Sequence, residues 1–142
     1  MDAEKIKLFI ATNGDIFPSS SLPTIKQRLE GLPENREMEI ATINYINPTI
    51  SLILSIFIGI WGVDRFYIGD KWLGFGKLAV CIVGCLILAI IGFVVGYFTA
   101  GIGTILMFLL LPFLYIWPII DWFLIMGATK KKNLEKLLTV IG

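Results

Sequence analysis

Residues 78–120, LAVCIVGCLILAIIGFVVGYFTAGIGTILMFLLLPFLYIWPII, run for 43 positions without a charged side chain. As a single α-helix rising 1.5 Å per residue the stretch would be about 65 Å long, twice the ~30 Å hydrocarbon core of a bilayer. It therefore has to fold back. The place for the turn is Thr99-Ala100-Gly101-Ile102-Gly103, where two glycines weaken the helix. One span is expected over about 75–98 and another over about 104–126, the second kinked by Pro112 and Pro118.

Outward from this stretch the chain stays apolar. Of its 142 residues 56% are hydrophobic and 16% charged, against about 25% charged in an average soluble domain. That is the composition of a membrane protein, whose first partner is the lipid bilayer. A net charge of +1 gives no steering toward nucleic acid, and no nucleic-acid partner is expected. There is no histidine, which removes the commonest general base and metal ligand. Nor is there a Gly-x-Ser-x-Gly nucleophile motif or a pair of acids within the apolar segments. No catalytic residue, cofactor or metal site is expected, and the protein is not read as an enzyme. Cys81 and Cys85, four apart in the apolar run, share a helix face and cannot form a strain-free disulfide with each other. They read as small packing residues. The first 20 residues hold Asp2, Glu4, Lys5, Lys7 and Asp15 and no long apolar core, so an internal helix rather than a cleavable signal is expected to drive insertion.

Residues 1–47 form the one water-compatible segment before the apolar region. KIKLFIATNGDIF (5–17) reads as a β-leaning stretch ending at the Asn13-Gly14 turn. SLPTIKQRLEGLP (21–33) reads as a short helix capped by Ser21, with Pro23 in its first turn and a stop at Gly31-Leu32-Pro33. Ile25, Leu29 and Leu32 fall on one face of it. A segment of 47 residues is marginal as an independent domain and is expected to dock on the membrane surface, the bundle or a partner. Asn47-Pro48 opens the next helix, Asn as its cap and Pro in its first turn. Pro48–Val63 holds no charge, but its 16 residues reach only about 24 Å, so Tyr45, Ile46 and the aromatics after Arg65 have to extend it. The chain ends in a basic tail, 130–142, with Lys130, Lys131, Lys132, Lys136 and Glu135, in which LEKLLTVI (134–141) reads as a short helix on the headgroup surface. The expected fold is an all-α integral membrane protein. Its transmembrane domain, 48–129, is a small bundle of about three spans, near 48–64, 75–98 and 104–126, with two spans as the alternative. A polar N-terminal tail carrying a short amphipathic helix precedes it.

Lysines and arginines near the span ends set the orientation. Three spans put seven of them with the C-terminal tail against two on the other side, whereas two spans put six against three. The first arrangement, with a cytoplasmic C-terminal tail, is favoured.

The charges that interrupt the apolar region come in an ordered series. Pro48-Thr49, Leu54-Ser55-Ile56-Phe57, Gly59 and Gly62 precede Asp64-Arg65-Phe66-Tyr67-Ile68-Gly69; Leu73-Gly74-Phe75-Gly76-Lys77-Leu78 follows, and Ile116-Trp117-Pro118-Ile119-Ile120-Asp121-Trp122-Phe123-Leu124-Ile125 closes it. This series resembles the two-transmembrane domain family, the TM-two domain marked by Asp-Arg-Phe, over residues 48–80 and 116–133. The Met126-Gly127-Ala128-Thr129 ending with its three lysines and Asn133, and the short N-terminal tail, look bacterial. The resemblance implies a multi-pass protein of the bacterial cytoplasmic (inner) membrane and a family without an established enzymatic activity. In typical members the lysine-leucine and tryptophan-aspartate elements share one second span. Here Lys77 and Asp121 stand 44 residues apart, so roughly 81–112 looks like an added pass.

Charge in a bilayer is costly, about 2.5–3.5 kcal/mol for Asp, Lys or Arg at mid-depth on insertion scales. Asp121 lies nine residues before Lys130, or about 13 Å inside it along a helix. Such an acid should face the bundle interior and find a partner. Arg65, with a planar fork suited to carboxylate, is the expected one, joined by Asp64 or Lys77. The plainer account leaves Asp64 and Arg65 at the interface and Asp121 as a neutral hydrogen-bonded acid. The motif residues are thus Asp64, Arg65, Phe66, Tyr67, Gly69, Lys77 and Asp121. Small residues recur every four positions at Ser51, Ser55 and Gly59 and again at Gly92 and Gly96, a pattern that lets helices approach closely. It serves either packing within the chain or a homo-oligomer built on Gly92-Phe-Val-Val-Gly96. Trp61, Trp72, Trp117, Trp122, Tyr67, Tyr97 and Tyr115 fall near span ends, as an aromatic belt does. The expected function is a scaffold, regulatory or interaction module with an unidentified membrane or cytoplasmic protein partner. The alternative is a small oligomeric channel or transporter using Asp121.

Overall fold

The computed structural model describes residues 1–99 and 101–142. Its regular elements are all helical. The chain divides into two compact units, one of Met1–Ile50 with Met126–Gly142 and one of Ser51–Ile125.

The first unit is built from α1 (Ala3–Asn13), α2 (Leu22–Glu30), α3 (Glu37–Ala41) and the later part of the last helix. Residues 5–16 are helical, not β-leaning. Ile6, Phe9 and Ile10 sit at i, i+3 and i+4, and this face meets the core, so the helical period overrides the strand preference of Ile and Phe. Asn13 ends α1, its side-chain amide donating to the Phe9 carbonyl at 3.2 Å. α2 forms where expected, with Ile25, Leu29 and Leu32 buried. The Ser21 hydroxyl, however, donates back to the Pro18 carbonyl at 2.7 Å and does not cap the helix.

Residues 134–141 are not a separate helix on a headgroup surface. They end a 26-residue helix, Ile116–Ile141, and Leu137 is fully buried with Ile6, Phe17, Ile25, Leu29, Leu32 and Ile40. Three short helices of 47 residues have too little apolar surface for a core of their own. The apolar face of the last helix, Leu134, Leu137 and Ile141, completes it. Asn133, also fully buried, adds polar ties. Its amide nitrogen donates to the carbonyls of Ile16 (3.1 Å) and Ile46 (2.8 Å), and its oxygen accepts the Ile46 N–H at 2.8 Å. Arg36 donates to the Val140 carbonyl at 2.9 Å and Lys136 to that of Asn44 at 2.8 Å.

The second unit holds most of α4 (Pro48–Ile58), then α5 (Val63–Tyr67), α6 (Lys71–Phe98), α7 (Ile102–Leu110) and the first part of α8 (Ile116–Ile141). Asn47 caps α4, accepting from the N–H groups of Thr49 (2.8 Å) and Ile50 (3.4 Å). α4 tightens to a 3-10 turn at Gly59–Trp61 and stops at Gly62, whose φ of 74° is left-handed. α6 begins at Lys71, a turn earlier than expected. Of the expected turn after it, Ala100 lies outside the described residues. The Thr99 hydroxyl donates to the Val95 carbonyl at 2.6 Å and accepts the Gly103 N–H at 3.0 Å, tying the end of α6 to the start of α7. At Pro112 the last span passes through a five-residue 3-10 segment, Leu111–Tyr115, because proline has no N–H to donate to the α-helical ladder. Pro118 is the third residue of α8, where a missing donor costs little.

Lys71–Phe98 and the continuous helical run Ile102–Ile141 are both long and apolar enough to cross a membrane; Pro48–Trp61 is apolar but shorter. Trp72, Phe93, Tyr97, Phe98 and Phe123 are each more than three-quarters exposed. A soluble monomer rarely shows apolar surface on this scale, whereas a lipid-embedded one requires it. The chain is all-helical over its described regular elements, with two helices fit to cross a membrane. Gly92 faces Met107, Gly96 faces Thr104, and Gly103 lies so close to the Val95–Gly96 backbone that a Cβ has no room. Gly92 and Gly96 thus pack α6 against α7 inside the hairpin.

Leu137→Ala removes the contribution of the last helix to the first unit's core and should cost about 2–5 kcal/mol. Limited trypsin digestion should then cut at Arg28 and Arg36 at least tenfold faster, while cleavage rates in a Leu138→Ala control stay close to wild type.

Candidate functional site

α4, α5, α6 and α8 converge on a cluster of charge within the second unit. The backbone of 59–70 makes it possible. Gly62 takes a left-handed conformation, and a methyl group there would fall on the Gly74 carbonyl. Only glycine allows both the turn and this close approach. The Phe66 ring lies under Gly74 and meets Phe75 edge-on, with centroids 4.9 Å apart at 83°. This wedge holds α5 against the start of α6 and aims Asp64 and Arg65 inward.

Asp64, Arg65, Lys77 and Asp121 are all buried, at 0%, 7%, 4% and 2% exposure. Arg65 binds Asp121 with two donors, Nε to Oδ2 at 2.8 Å and Nη2 to Oδ1. Lys77 Nζ bridges Asp64 Oδ2, at 2.7 Å, and Asp121 Oδ2. Two cations thus answer two carboxylates, and their four charges cancel. At the edge, Arg65 Nη1 reaches the partly exposed Asp70 at 3.4 Å. Isolated, each of these ions would cost several kcal/mol to bury; mutual pairing with directed hydrogen bonds offsets that penalty.

The structure therefore brings together Asp64, Arg65, Lys77 and Asp121, with Phe66 as their support. Tyr67 and Gly69 stay exposed and take no part in the network, although Gly69, with φ 86°, shapes the turn into α6. Ser51 and Ser55 on α4, and Gly59 at the start of the 3-10 turn after it, are buried. Two participants were missed in the sequence. Asp70, five residues after Arg65 across a glycine, carried the signal of an acid beside an arginine. Trp122, read as part of an aromatic belt, donates its indole N–H to the Ser55 carbonyl at 2.8 Å. Nothing in its local sequence distinguishes that role.

Residues 44–94 match the model of the TM2 domain. Over these residues, about a third of the chain, the sequence is similar to the TM2 domain. Its match contains Asp64, Arg65 and Lys77, while Asp121 lies beyond it, contributed by the helix that returns after the hairpin. No curated protein and no solved structure matches the chain.

The cluster yields a double-mutant test. Asp64→Asn and Lys77→Met each strand a buried partner, and each should destabilise the second unit by about 3–5 kcal/mol. Together they should cost less than their sum by about 0.5–3 kcal/mol, the range for residues in one ion-pair network. Thermal unfolding in detergent, read by tryptophan emission, gives the four values.

Proposed function

We propose that the protein is a non-enzymatic membrane module. It holds a charge-free hairpin in the membrane and meets an unidentified protein partner. The observation that carries this reading is the pairing of each charge in the buried cluster with an opposite one. Asp121 is held by both Arg65 and Lys77, so using it as a carrier would require breaking the cluster that supports the helices.

The same reading takes the chain across the membrane twice. The N-terminal helices and the end of α8 share one core, so both ends lie on one side and the number of crossings between them is even. Three spans do not meet that condition. The two crossings are α6 and the α7–α8 run, and α4 adds apolar surface without crossing. Taking 48–64 as a span makes an Arg65–Asp121 pair and a two-span plan incompatible; without that span the two coexist. All 12 lysines and arginines then lie on one side, because residues 78–120 contain none. The positive-inside rule makes that side cytoplasmic, and no charged segment has to be exported. The membrane is, on this reading, a bacterial inner membrane.

The alternative, a small oligomeric channel or transporter, has one observation in its favour. Asp64 Oδ1 is buried without a hydrogen-bond partner, which makes it the place for a proton or cation to enter. Proteoliposome flux of the wild-type chain above that of empty vesicles would favour this alternative, and no flux above empty vesicles supports the module.

The topology is tested with single cysteines at the exposed Ser20 and Lys131, in a Cys81→Ala, Cys85→Ala background. An impermeant thiol reagent should label both from the same side of sealed vesicles. Labelling from opposite sides would overturn the two-crossing arrangement.

A further inference from the structure

The ionic cluster has an open side. Arg65, Leu73, Trp117, Ile120, Asp121 and Leu124 line a cleft of about 330 Å3, a size at the lower end of ligand pockets, roughly 300–1,000 Å3. The four apolar residues are each at least 42% exposed and form its rim. The two charged ones are more than nine-tenths buried and form its floor. On a chain embedded in lipid, water does not match the walls and a bare acyl chain does not match the floor. An amphiphile matches both.

The chemistry of the floor narrows the headgroup. It offers one guanidinium and one carboxylate, already paired, with no net charge between them. An anionic headgroup would set an unanswered negative charge beside Asp121. A zwitterion lays its phosphate toward the arginine and its cation toward the acid. Arg65 has five N–H donors, and its bonds to Asp121 and Asp70 engage three, leaving two for a phosphate. A carboxylate has about four acceptor positions, so Asp121 can take a further donor besides those of Arg65 and Lys77. A primary ammonium supplies one, and a quaternary ammonium does not.

We propose that this cleft is a headgroup site for phosphatidylethanolamine. Arg65 binds its phosphate, Asp121 its ammonium, and Leu73, Trp117, Ile120 and Leu124 hold an acyl chain. The proposal depends on the membrane location of the chain and not on the number of crossings or the identity of a protein partner.

The test uses the full chain in nanodiscs, one copy per disc, in equal parts phosphatidylethanolamine, phosphatidylglycerol and phosphatidylcholine. Native mass spectrometry of the ejected protein counts the lipids it retains. One phosphatidylethanolamine per chain is expected, in several-fold excess over the other two. Leu124→Trp, which fills the cleft from its exposed rim and leaves both members of the ion pair in the chain, should return retention to the bulk ratio. Phe93→Trp on the hairpin should leave the excess intact. Retention in bulk proportions by the wild type means an ordinary lipid shell and overturns the proposal. So does preference for phosphatidylglycerol or phosphatidylcholine, an excess that survives Leu124→Trp, or loss of the lipid to a second copy in discs loaded with two.

Discussion

The second unit depends on four charges that no apolar environment tolerates singly. Arg65, Lys77, Asp64 and Asp121 come from a short turn, the start of one long helix and the start of another. None of the four is acceptable without the others. Lys77 alone would leave an ammonium in a dry interior, and Asp121 alone would carry a carboxylate beside tryptophans. Paired, they fix the register of α5, α6 and α8 against one another more sharply than hydrophobic contact can. Contacts among Leu, Ile and Val are non-directional, and in lipid they lack even a solvent to exclude. The bidentate grip of Arg65 on Asp121 supplies direction as well as attraction.

Gly62 and Gly74 are the geometric half of this constraint. The bonds require the backbone of 59–70 to reverse within a few residues and to pass hard against the first turns of α6. A side chain at Gly62 would strike the Gly74 carbonyl, and one at Gly74 would strike the Phe66 ring. Motif glycines and motif charges thus answer one demand. Loss of either would leave the other without purpose.

Much of this was legible because charge is conspicuous in an apolar chain. Asp121 announced a partner, and Arg65 was the residue whose shape fitted it. The helix between Pro48 and Val63 is the element that composition and length read differently: its composition is that of a span, yet its length, about 24 Å, falls short of the ~30 Å hydrocarbon core. The N-terminal segment misled for a different reason. Ile6, Phe9 and Ile10 have strand-forming side chains but helical spacing, and the decisive contact, Leu137, is more than a hundred residues away in sequence. No local pattern shows that a helix of the C-terminal tail will serve as the core of an N-terminal fold.

That long-range closure has a consequence for how the chain is made. Synthesis runs from the N-terminus, and domains generally fold as units once they are complete. Here α1, α2 and α3 emerge first but lack a core until Leu137 arrives, after the whole apolar hairpin. During that interval Ile6, Phe17, Ile25 and Leu29 have no buried position to occupy. The hairpin meanwhile needs no help from them, since its small residues pack α6 on α7 through contacts near in sequence, which form early because loop closure is short. The order that follows is hairpin, then ionic cluster as Asp121 joins Arg65 and Lys77, then first unit. Each stage satisfies the groups the previous one left exposed, so the most distant contact in the chain is also the last to form.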